Sequence, residues 1–322
     1  MENYKVSIVM YHYVRNLGNS RYPNIKGLDL AAFREQIDFF KKKYTFITCE
    51  QLMDTINNKE QLPKNSMLLT FDDGYIDHFV NVFPILIEKG IQGFFSMPGK
   101  VLAERKLLDV NKIHFILAST PISKLLPLVF ERLNHYRIGN SFPSNEELYH
   151  KLAKANRFDC QEVVFVKRLF QVELEETIRN EIVSDLFKKC VAVPEETFVQ
   201  ELYMSLDQLK LMKRSGMCFG IHGYDHYWLN KLTPKALEKD IENALNVMDG
   251  IVNPKEWICC YPYGSYSEDV IHCIKKHGAV AGFSTDVNIA NLDKNNKYAL
   301  PRLDTNDFPP KGESYKNYVI NM

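Results

Sequence analysis

The sequence predicts an α/β protein built as a distorted barrel of the (β/α)7 type, with a helical insertion between its two parts. Strand-like and helix-like segments alternate along residues 1–100 and again along residues 205–322. The strand-like segments are mostly apolar, as expected for parallel strands that are covered on both faces. About seven such units would close a barrel, which removes the exposed edges of the sheet.

The first part of the barrel begins with a strand rich in Val, Ile and Tyr. Asp29 is expected to cap the helix that follows, because apolar residues from Leu30 to Phe40 recur at helical spacing. A later helix should end at Gly90, a residue that readily adopts the left-handed conformation. Strands are predicted over residues 5–14, 44–48, 66–71 and 91–97, and helices over 29–40, 50–56 and 77–89.

The second part resumes the alternation at Ser205, which forms a predicted capping box with Gln208. Thr233 followed by Pro234 marks another helix start. Helices are predicted over 205–216, 233–250 and 267–277, and strands over 217–222, 257–261 and 279–284.

Residues 101–204 lack this alternation and are predicted to form a helical insertion. Ser144 with Glu147, and Asp159 with Glu162, are expected capping boxes that open two of its helices. Insertions after barrel strands lie near the active site, so this one is expected to act as a lid or a substrate-selecting subdomain. The alternative is an excursion that only stabilises the fold.

Composition and charge exclude several classes of protein. The chain has 322 residues, with 40 Lys plus Arg against 40 Asp plus Glu, so nothing in its charge indicates nucleic-acid binding. No stretch approaches the roughly 18 apolar residues of a membrane span. The N-terminus has neither a basic start nor a cleavage site, which predicts a cytoplasmic protein that could still dock on a membrane. The seven cysteines include no C-x-x-C pair, and we expect buried, reduced thiols.

Two adjacent carboxylates, Asp72 and Asp73, follow the predicted strand 66–71 and precede Gly74. At the carboxyl end of a barrel strand they would lie in the mouth of the barrel. Adjacent strand residues point in opposite directions, so both side chains converge only if the chain is already turning, and Gly74 allows that turn. Two acids so close need a cation to neutralise them. This pair therefore indicates a metal.

A second polar motif, His222 and His226, begins at the last residue of the predicted strand 217–222. Two histidines four residues apart are a recurrent metal-ligand spacing, although exposed turn histidines are the common alternative. Together with an aspartate on another barrel strand, they would leave coordination positions open for water. That is the arrangement of a zinc hydrolase.

These motifs resemble those of the polysaccharide deacetylases of the NodB-homology type, carbohydrate esterase family four. The resemblance covers roughly residues 5–100 and 205–305 and leaves the helical insertion outside. It rests on Thr70–Gly74 (TFDDG), His222–His226 (HGYDH) and Tyr261–Gly264 (YPYG), supported by Met10–His12 (MYH) and Pro301–Leu303 (PRL).

The resemblance implies a NodB-like barrel and a metal-dependent deacetylase. Asp72 matches the family's general base, and the matching metal ligands are Asp73, His222 and His226. Tyr263 matches the residue whose backbone N–H helps to hold the oxyanion, and Asp286 falls loosely near an acidic position that tunes the acid catalyst. Zn²⁺ is the expected ion, and Co²⁺, Ni²⁺ or Fe²⁺ would also suit these ligands.

The chain departs from the family at two positions. Cys260 stands where many members carry an arginine, so Arg302 is the candidate that orients Asp72 instead. The family's Leu-x-His, which supplies the general acid, is replaced near Leu300. His12 is a candidate for that role, and the alternative is a structural or substrate-binding histidine at the barrel rim. Tyr11, Tyr13, Trp228 and Tyr263 are aromatic residues that could stack on sugar rings or pack in the core.

We therefore expect a hydrolase that removes an N-acetyl group from an acetamido sugar, with an intracellular intermediate of surface-glycan biosynthesis as substrate. The metal would activate water and polarise the carbonyl while Asp72 accepts the water's proton. Two alternatives stay open. One is a hydrolase of the same type that acts on a formyl group or a non-sugar amide, and the other is a catalytically silent carbohydrate-binding protein.

Overall fold

The computed structural model describes residues 4–58 and 60–319. The chain divides into two compact units. The barrel unit comprises the described residues of Met1–Asn16, Gly27–Glu104 and Leu202–Met322, and the helical unit comprises Leu17–Lys26 and Arg105–Glu201.

The strands all lie in the barrel unit. They are β1 (Lys5–Tyr11), β2 (Val14–Arg15), β3 (Leu28–Asp29), β4 (Thr45–Phe46), β5 (Ser66–Phe71), β6 (Gly93–Met97), β7 (Cys218–Ile221), β8 (Trp257–Cys260), β9 (Ala279–Phe283), β10 (Ala290–Asn291) and β11 (Leu303–Asp304).

The helices are distributed over both units. Those of the barrel unit before the insertion are α1 (Leu30–Lys43), α2 (Cys49–Asn58), α3 (Phe83–Lys89) and α4 (Gly99–Ala103). Those of the insertion are α5 (Asp109–Ser119), α6 (Ile122–Arg137), α7 (Asn145–Leu152), α8 (Gln161–Arg168), α9 (Glu176–Cys190) and α10 (Glu195–Leu202). The remaining helices are α11 (Leu206–Arg214), α12 (Pro234–Val247), α13 (Glu268–Lys276) and α14 (Lys316–Val319).

The central sheet has the strand order β10-β1-β5-β6-β7-β8-β9, and the neighbours from β1 to β9 are parallel. The register brings the carboxyl ends of adjacent strands to the same edge: Tyr11 lies opposite Phe71, and Phe71 lies opposite Phe95. Residues that directly follow β1, β5 and β7 are therefore neighbours in space. This edge positions the candidate site.

One short segment, residues 300–304, joins the two sides of the sheet. The Leu300 N–H donates to the carbonyl of Gly282 in β9, at 2.8 Å. Two residues later, β11 pairs in parallel with β1, where Leu303 lies opposite Val9. Counted with the six parallel strands, this segment supplies a seventh. The sheet is thus the distorted barrel that the alternation predicts.

The barrel is filled by apolar side chains from its strands. All residues of β5, β6 and β8 are buried, which agrees with strands covered on both faces. The interior cluster includes Leu68, Phe94, Ile258, Phe283 and Leu300, each at most 2% exposed. The predicted strands are confirmed, although most are one to three residues shorter than the sequence patterns indicate.

The predicted helix starts of the barrel unit are also confirmed. Asp29 accepts a hydrogen bond from the Ala31 N–H, and Ser205 forms the expected capping box with Gln208. The helix expected over 77–89 is less regular, because a π-helical stretch, His78–Val82, precedes α3. It ends at Gly90 with φ of 66°, as predicted.

The helical unit contains one confirmed capping box and one wrong prediction. Ser144 and Glu147 satisfy each other's backbone N–H groups. Asp159 does not cap α8, whose N-cap is Cys160 without a side-chain hydrogen bond. The Asp159 carboxylate instead contacts the ammonium groups of Lys26 and Lys167. Hydrogen bonds between ionised groups are stronger than one to a neutral N–H, so the lysines compete successfully with the cap.

The cysteines are free thiols, as expected, but only some of them are buried. Cys160 is exposed, and Cys190 and Cys218 are partly exposed, so the prediction of burial is wrong for these three. Within residues 4–58 and 60–319, every helix is too short or too polar to span a bilayer.

Candidate metal centre

The two aspartates reach the site because the chain turns immediately after β5. Asp73 adopts φ of 73° and Gly74 adopts φ of 68°, so the left-handed turn begins at Asp73, one residue earlier than expected. A Cβ at Gly74 would lie 1.9 Å from Met97 Sδ. A side chain at position 74 would require both a displacement of Met97 and the left-handed backbone that glycine adopts most readily.

Asp73, His222 and His226 come together in a buried cluster. His222 Nε2 and His226 Nε2 each lie 3.2 Å from Asp73 Oδ1. The three side chains are at most 6% exposed. These are the residues that the sequence motifs select, drawn from the ends of β5 and β7.

The hydrogen bonding of this cluster fits a divalent cation. Asp73 Oδ1 is buried and accepts no hydrogen bond from the described residues, while Oδ2 accepts one from the Tyr75 hydroxyl at 2.5 Å. His222 Nδ1 donates to the Cys260 carbonyl at 2.8 Å, which leaves the Nε2 lone pair directed at Asp73. One carboxylate oxygen and two imidazole nitrogens are ligands typical of a catalytic zinc site.

Asp72 is held by different partners. Arg302 Nη2 lies 2.8 Å from Asp72 Oδ2, and Arg302 Nη1 donates to Oδ1 at 3.1 Å. The Ser96 hydroxyl also donates to Oδ1, at 2.7 Å. Arg302 is buried in turn, donating from Nε to the Ser284 carbonyl and lying 3.8 Å from Cys260 Sγ. The guanidinium thus contacts Asp72 from the segment 300–304, beside the thiol at position 260.

The surrounding charges keep both carboxylates ionised. Burial raises the pKa of Asp72, but the positive charge of the Arg302 guanidinium beside it outweighs burial and holds that pKa below its usual range. For Asp73, burial is likewise outweighed by the two imidazoles, and its pKa is also lowered. The site therefore presents negative charge to a cation at neutral pH.

His12 follows β1 at the same edge of the sheet. The Asp72 N–H donates to the carbonyl of the preceding residue, Tyr11, at 3.0 Å, so His12 lies beside Asp72 along the strand ends. Its own carbonyl is bonded to the buried His78 Nε2 at 2.9 Å, and its side chain is half-buried.

Tyr263 packs through its ring against His226 of the Asp73–His222–His226 cluster. Its ring meets that of His226 edge to face at 4.8 Å and stacks on Trp228 at 5.1 Å, with planes 13° apart. Tyr11 and Tyr13, by contrast, are at most 2% exposed and belong to the core.

Backbone strain collects at this site. Asp73, His226 and Tyr263 are three of the six described residues other than glycine with positive φ. Such conformations cost roughly 1–3 kcal/mol each and persist where the surrounding structure enforces them.

The loop between the two histidines is anchored from two helices. The N–H groups of Gly99 and Lys100 in α4 donate to the carbonyls of Gly223 and Tyr224, both at 3.0 Å. From α12, Asp240 accepts the Tyr224 N–H at 2.8 Å and the Asp225 N–H at 3.1 Å. Asp240 is 6% exposed, so these two bonds satisfy a buried carboxylate.

Asp286 lies outside the cluster. Its side chain is exposed and accepts hydrogen bonds from the hydroxyl groups of Ser284 and Tyr266. Its described contacts do not include Asp72 or the Asp73–His222–His226 cluster. Only its backbone carbonyl is connected to the site, through the Arg302 N–H at 2.9 Å.

Three supporting residues are absent from the sequence-based site: Ser96, Tyr75 and Asp240. Ser96 lies one residue before the end of β6, the strand next to β5, so the order of parallel strands is a signal that could have identified it. Tyr75 follows the aspartate motif directly. Asp240 has no signal in the sequence, because helix packing alone brings it to the loop.

Comparison with known proteins supports the motif-based resemblance. A sequence profile described as polysaccharide deacetylase matches residues 187–282, which include both histidines and Tyr263. The Bacillus subtilis (strain 168) protein YxkH, named as a polysaccharide deacetylase, is 27% identical over 120 residues. That match spans 37% of this chain and 42% of the Bacillus protein.

Solved structures share the fold over nearly the whole chain. A Streptococcus pyogenes deacetylase, PplD, in complex with acetate has a TM-score of 0.57 at 16% identity, covering 95% of this chain and 96% of its own. IcaB from Ammonifex degensii also has a TM-score of 0.57 at 16% identity, covering 98% and 95%. A de-N-acetylase from Aggregatibacter actinomycetemcomitans has a TM-score of 0.54 at 15% identity, covering 98% and 100%. The predicted resemblance to the polysaccharide deacetylases and the NodB-like fold are confirmed.

Proposed function

We propose that this chain, which resembles the polysaccharide deacetylases, is a metal-dependent hydrolase that removes an N-acetyl group from an acetamido sugar. The observation that carries the proposal is an ionised carboxylate, Asp72, beside a buried Asp73–His222–His226 cluster. A base next to a cation site is what hydrolysis of an amide requires.

Asp72 is the proposed general base. Its carboxylate is held at both oxygens by Arg302 and at one by Ser96, so its orientation is fixed before substrate arrives. Because the pKa of Asp72 lies below its usual range, the carboxylate is free to accept a proton at neutral pH. Fixed orientation of the base lowers the entropic cost of the reaction.

Asp73, His222 and His226 are the proposed metal ligands. A bound divalent ion would supply Lewis-acid polarisation of the amide carbonyl and would lower the pKa of water. Tyr75 and the Cys260 carbonyl hold two of the ligands in orientation. Zn²⁺ is the proposed ion, and Co²⁺, Ni²⁺ and Fe²⁺ are the alternatives that this ligand set accepts.

His12 and Tyr263 are proposed to complete the site. His12 lies beside Asp72 at the strand ends and is proposed to protonate the leaving amine. Tyr263 is proposed to offer its backbone N–H to the developing oxyanion. Its ring, stacked on Trp228, gives an aromatic surface next to His226 that suits the apolar face of a sugar.

An N-acetylated sugar of a glycan is the proposed substrate class. The Streptococcus pyogenes relative is a deacetylase solved with acetate, which supports acetyl as the group removed. Formyl as the acyl group stays the alternative, because it requires the same residues. An intermediate of surface-glycan biosynthesis, the cytoplasmic compartment and the lid role of the insertion stay predictions.

Release of acetate tests this proposal. Zinc-loaded protein is incubated with a panel of acetamido sugars and their oligomers, and acetate and free amine are measured together. We expect release by the wild type, abolition by a chelator, recovery on re-addition of zinc, and a loss of at least 100-fold in Asp72→Asn. Mass spectrometry of the product distinguishes loss of acetyl from loss of formyl.

Asp249→Asn is the matched control, since Asp249 is an exposed aspartate at the end of α12. It should retain wild-type turnover. Sugar binding by zinc-loaded protein without any release of acid would contradict the proposal and favour a silent carbohydrate-binding protein.

A further inference from the structure

A second group of metal-ligand side chains lies between α12 and α13, separate from Asp73 and its partners. It consists of Glu238 on α12 and of Cys273 and His277 at the end of α13, and we call it the α12–α13 cluster. We propose that the α12–α13 cluster is a second binding site for a divalent metal ion of the zinc type. This inference is independent of the proposed deacetylase activity.

The geometry of the cluster is close to what a small ion needs. One carboxylate oxygen of Glu238, Cys273 Sγ and a ring nitrogen of His277 all lie within 4.8 Å of one another. His277 Nε2 is 3.2 Å from Glu238 Oε1, a separation that two ligands of one tetrahedral ion can adopt. Cys273 and His277 are four residues apart, so α13 presents both to the same side.

The chemistry of the donors selects the ion. A thiolate, an imidazole and a carboxylate are all common zinc ligands, whereas thiolate is a poor ligand for magnesium or calcium. Three protein ligands leave a fourth position for water.

His277 is held in place before any ion binds. Its carbonyl accepts a hydrogen bond from Trp257 Nε1 at 2.8 Å, and its N–H donates to the Cys273 carbonyl at 3.2 Å. The backbone that carries the imidazole is therefore fixed against β8 and α13. This reduces the ordering that metal binding would require.

Lys276 is the competitor for this position. Its ammonium group contacts Glu238 Oε1, which is the same oxygen that faces His277. The Lys276 side chain is 60% exposed, so it can turn into solvent when an ion binds.

The cluster is accessible from two clefts. One cleft of about 360 Å³ is lined by Glu238, Cys273 and Lys276, among others. The other is lined by Glu242, Lys276 and His277. An ion can therefore enter, and a bound ion would crosslink α12 to α13.

Cobalt tests the proposal, because a thiolate bound to Co²⁺ gives a charge-transfer absorption that oxygen and nitrogen ligands do not. Asp73, His222 and His226 contain no sulfur, so this absorption distinguishes a thiolate-bound ion from an ion bound by those three residues, and the cysteine variants below assign it to one thiol. Metal-free full-length protein is titrated with Co²⁺ under reducing conditions. We expect the absorption to saturate at about one thiolate-bound ion per chain and to disappear when excess Zn²⁺ is added.

Three variants assign the signal. Cys273→Ser should abolish it, and His277→Ala should weaken Co²⁺ binding at least 100-fold, more than the loss of a supporting hydrogen bond costs. Lys276→Gln should tighten binding, because the competing ammonium is removed. Cys160→Ser is the control, since Cys160 is an exposed thiol and its loss should leave the absorption unchanged.

The proposal is overturned if wild-type protein gives no charge-transfer absorption, or if Cys160→Ser removes it and Cys273→Ser does not. Should Cys273→Ser fail to fold by circular dichroism, His277→Ala decides alone, since His277 is only partly buried. Retention of wild-type Co²⁺ affinity by folded His277→Ala would then refute the site.

Discussion

At the residue scale, the proposed base, Asp72, is held by an arginine that lies far from it in the sequence. Many of the polysaccharide deacetylases that the chain resembles carry an arginine where Cys260 stands, whereas here Arg302 contacts Asp72 from the segment between β9 and β11. Both positions border the same buried space, as Arg302 Nη1 lies 3.8 Å from Cys260 Sγ. A small thiol at position 260 leaves room for the guanidinium that enters from the other side.

Replacement of Arg302 by lysine tests this role. Lysine offers one ammonium group in place of a planar two-pronged contact, so Asp72 loses its fixed orientation. We expect kcat to fall about 10- to 100-fold. Because the Arg302 charge lowers the pKa of Asp72, its weaker replacement should move the acidic limb of the kcat/KM profile to higher pH.

Cys260→Ser is the control for this substitution, since it changes the neighbouring side chain and keeps the guanidinium. Its profile should match that of the wild type. An Arg302→Lys profile with an unmoved acidic limb would show that Arg302 does not act on the base.

The proposed base, Asp72, and the proposed ligands, Asp73, His222 and His226, were predictable from the sequence because each lies in a short, continuous motif. It is enough to know that these motifs follow strands whose ends meet. The residues that contact them were not predictable in the same way. Asp240 and Tyr75 are defined by packing between distant or turning parts of the chain, and a sequence pattern carries no distance.

At the scale of the element, the loop from His222 to His226 is a strained turn that α12 secures. Gly223 and His226 both have positive φ, at 67° and 58°. Asp240 receives two backbone N–H groups from this loop, and a Cβ at Gly223 would meet Asp240 Oδ1 at 3.1 Å. The conformation of the loop that carries the two imidazoles is therefore stabilised by the Asp240 carboxylate, which lies outside the Asp73–His222–His226 cluster.

Asp240→Asn should weaken zinc binding about 10- to 100-fold. Asparagine has a single acceptor oxygen, so one of the two loop N–H groups would face an amide NH₂ and lose its partner. Zinc affinity is measured by competition with a chelating dye, and folding is checked by circular dichroism. Asp249→Asn, at the exposed end of the same helix, should bind zinc as the wild type does. Equal zinc affinities for the two variants would mean that the loop keeps its shape without Asp240.

Helix starts were predictable where the local capping signal is strong. The prediction was wrong where charged groups from distant parts of the chain compete with that signal. The Ser144–Glu147 and Ser205–Gln208 boxes form as expected because both partners lie within one turn of helix. Asp159 fits the same pattern and fails, because Lys26 is 133 residues away in the chain and close in space. A capping motif cannot show which ammonium groups will fold against it.

At the scale of the whole molecule, the alternation of strands and helices predicted the class of fold. The order in which the strands pair in the sheet is known only from the structure. The sequence could not show that residues 300–304 join β9 to β1, because this segment is short and contains a proline and two charged residues. Residues 17–26 are assigned to the helical unit although the pattern placed them in the barrel. Such assignments depend on contacts that are remote in sequence.

Two buried groups of the barrel unit give the stability of the molecule opposite dependences on pH. Burial lowers the pKa of His78 to about 4, so the unfolded chain binds a proton below pH 6.5 while the folded chain does not. This group destabilises the fold as pH falls. Burial raises the pKa of Asp240 to about 6, so the folded chain binds that proton first and gains stability over part of the same range.

Substitution of His78 separates these two contributions. His78→Gln keeps a hydrogen-bond donor for the His12 carbonyl but has no group that binds a proton in this pH range. As pH falls from 7 to 4.5, the unfolding free energy of the variant should therefore rise relative to that of the wild type. The lowered pKa of His78 changes the unfolding free energy by at most about 3 kcal/mol over this range. Urea unfolding of metal-free protein in chelator measures it, because metal binding has its own pH dependence. Asp240→Asn should shift the difference in the opposite direction. Parallel curves for wild type and His78→Gln would mean that His78 has the same proton affinity in the folded and unfolded chain.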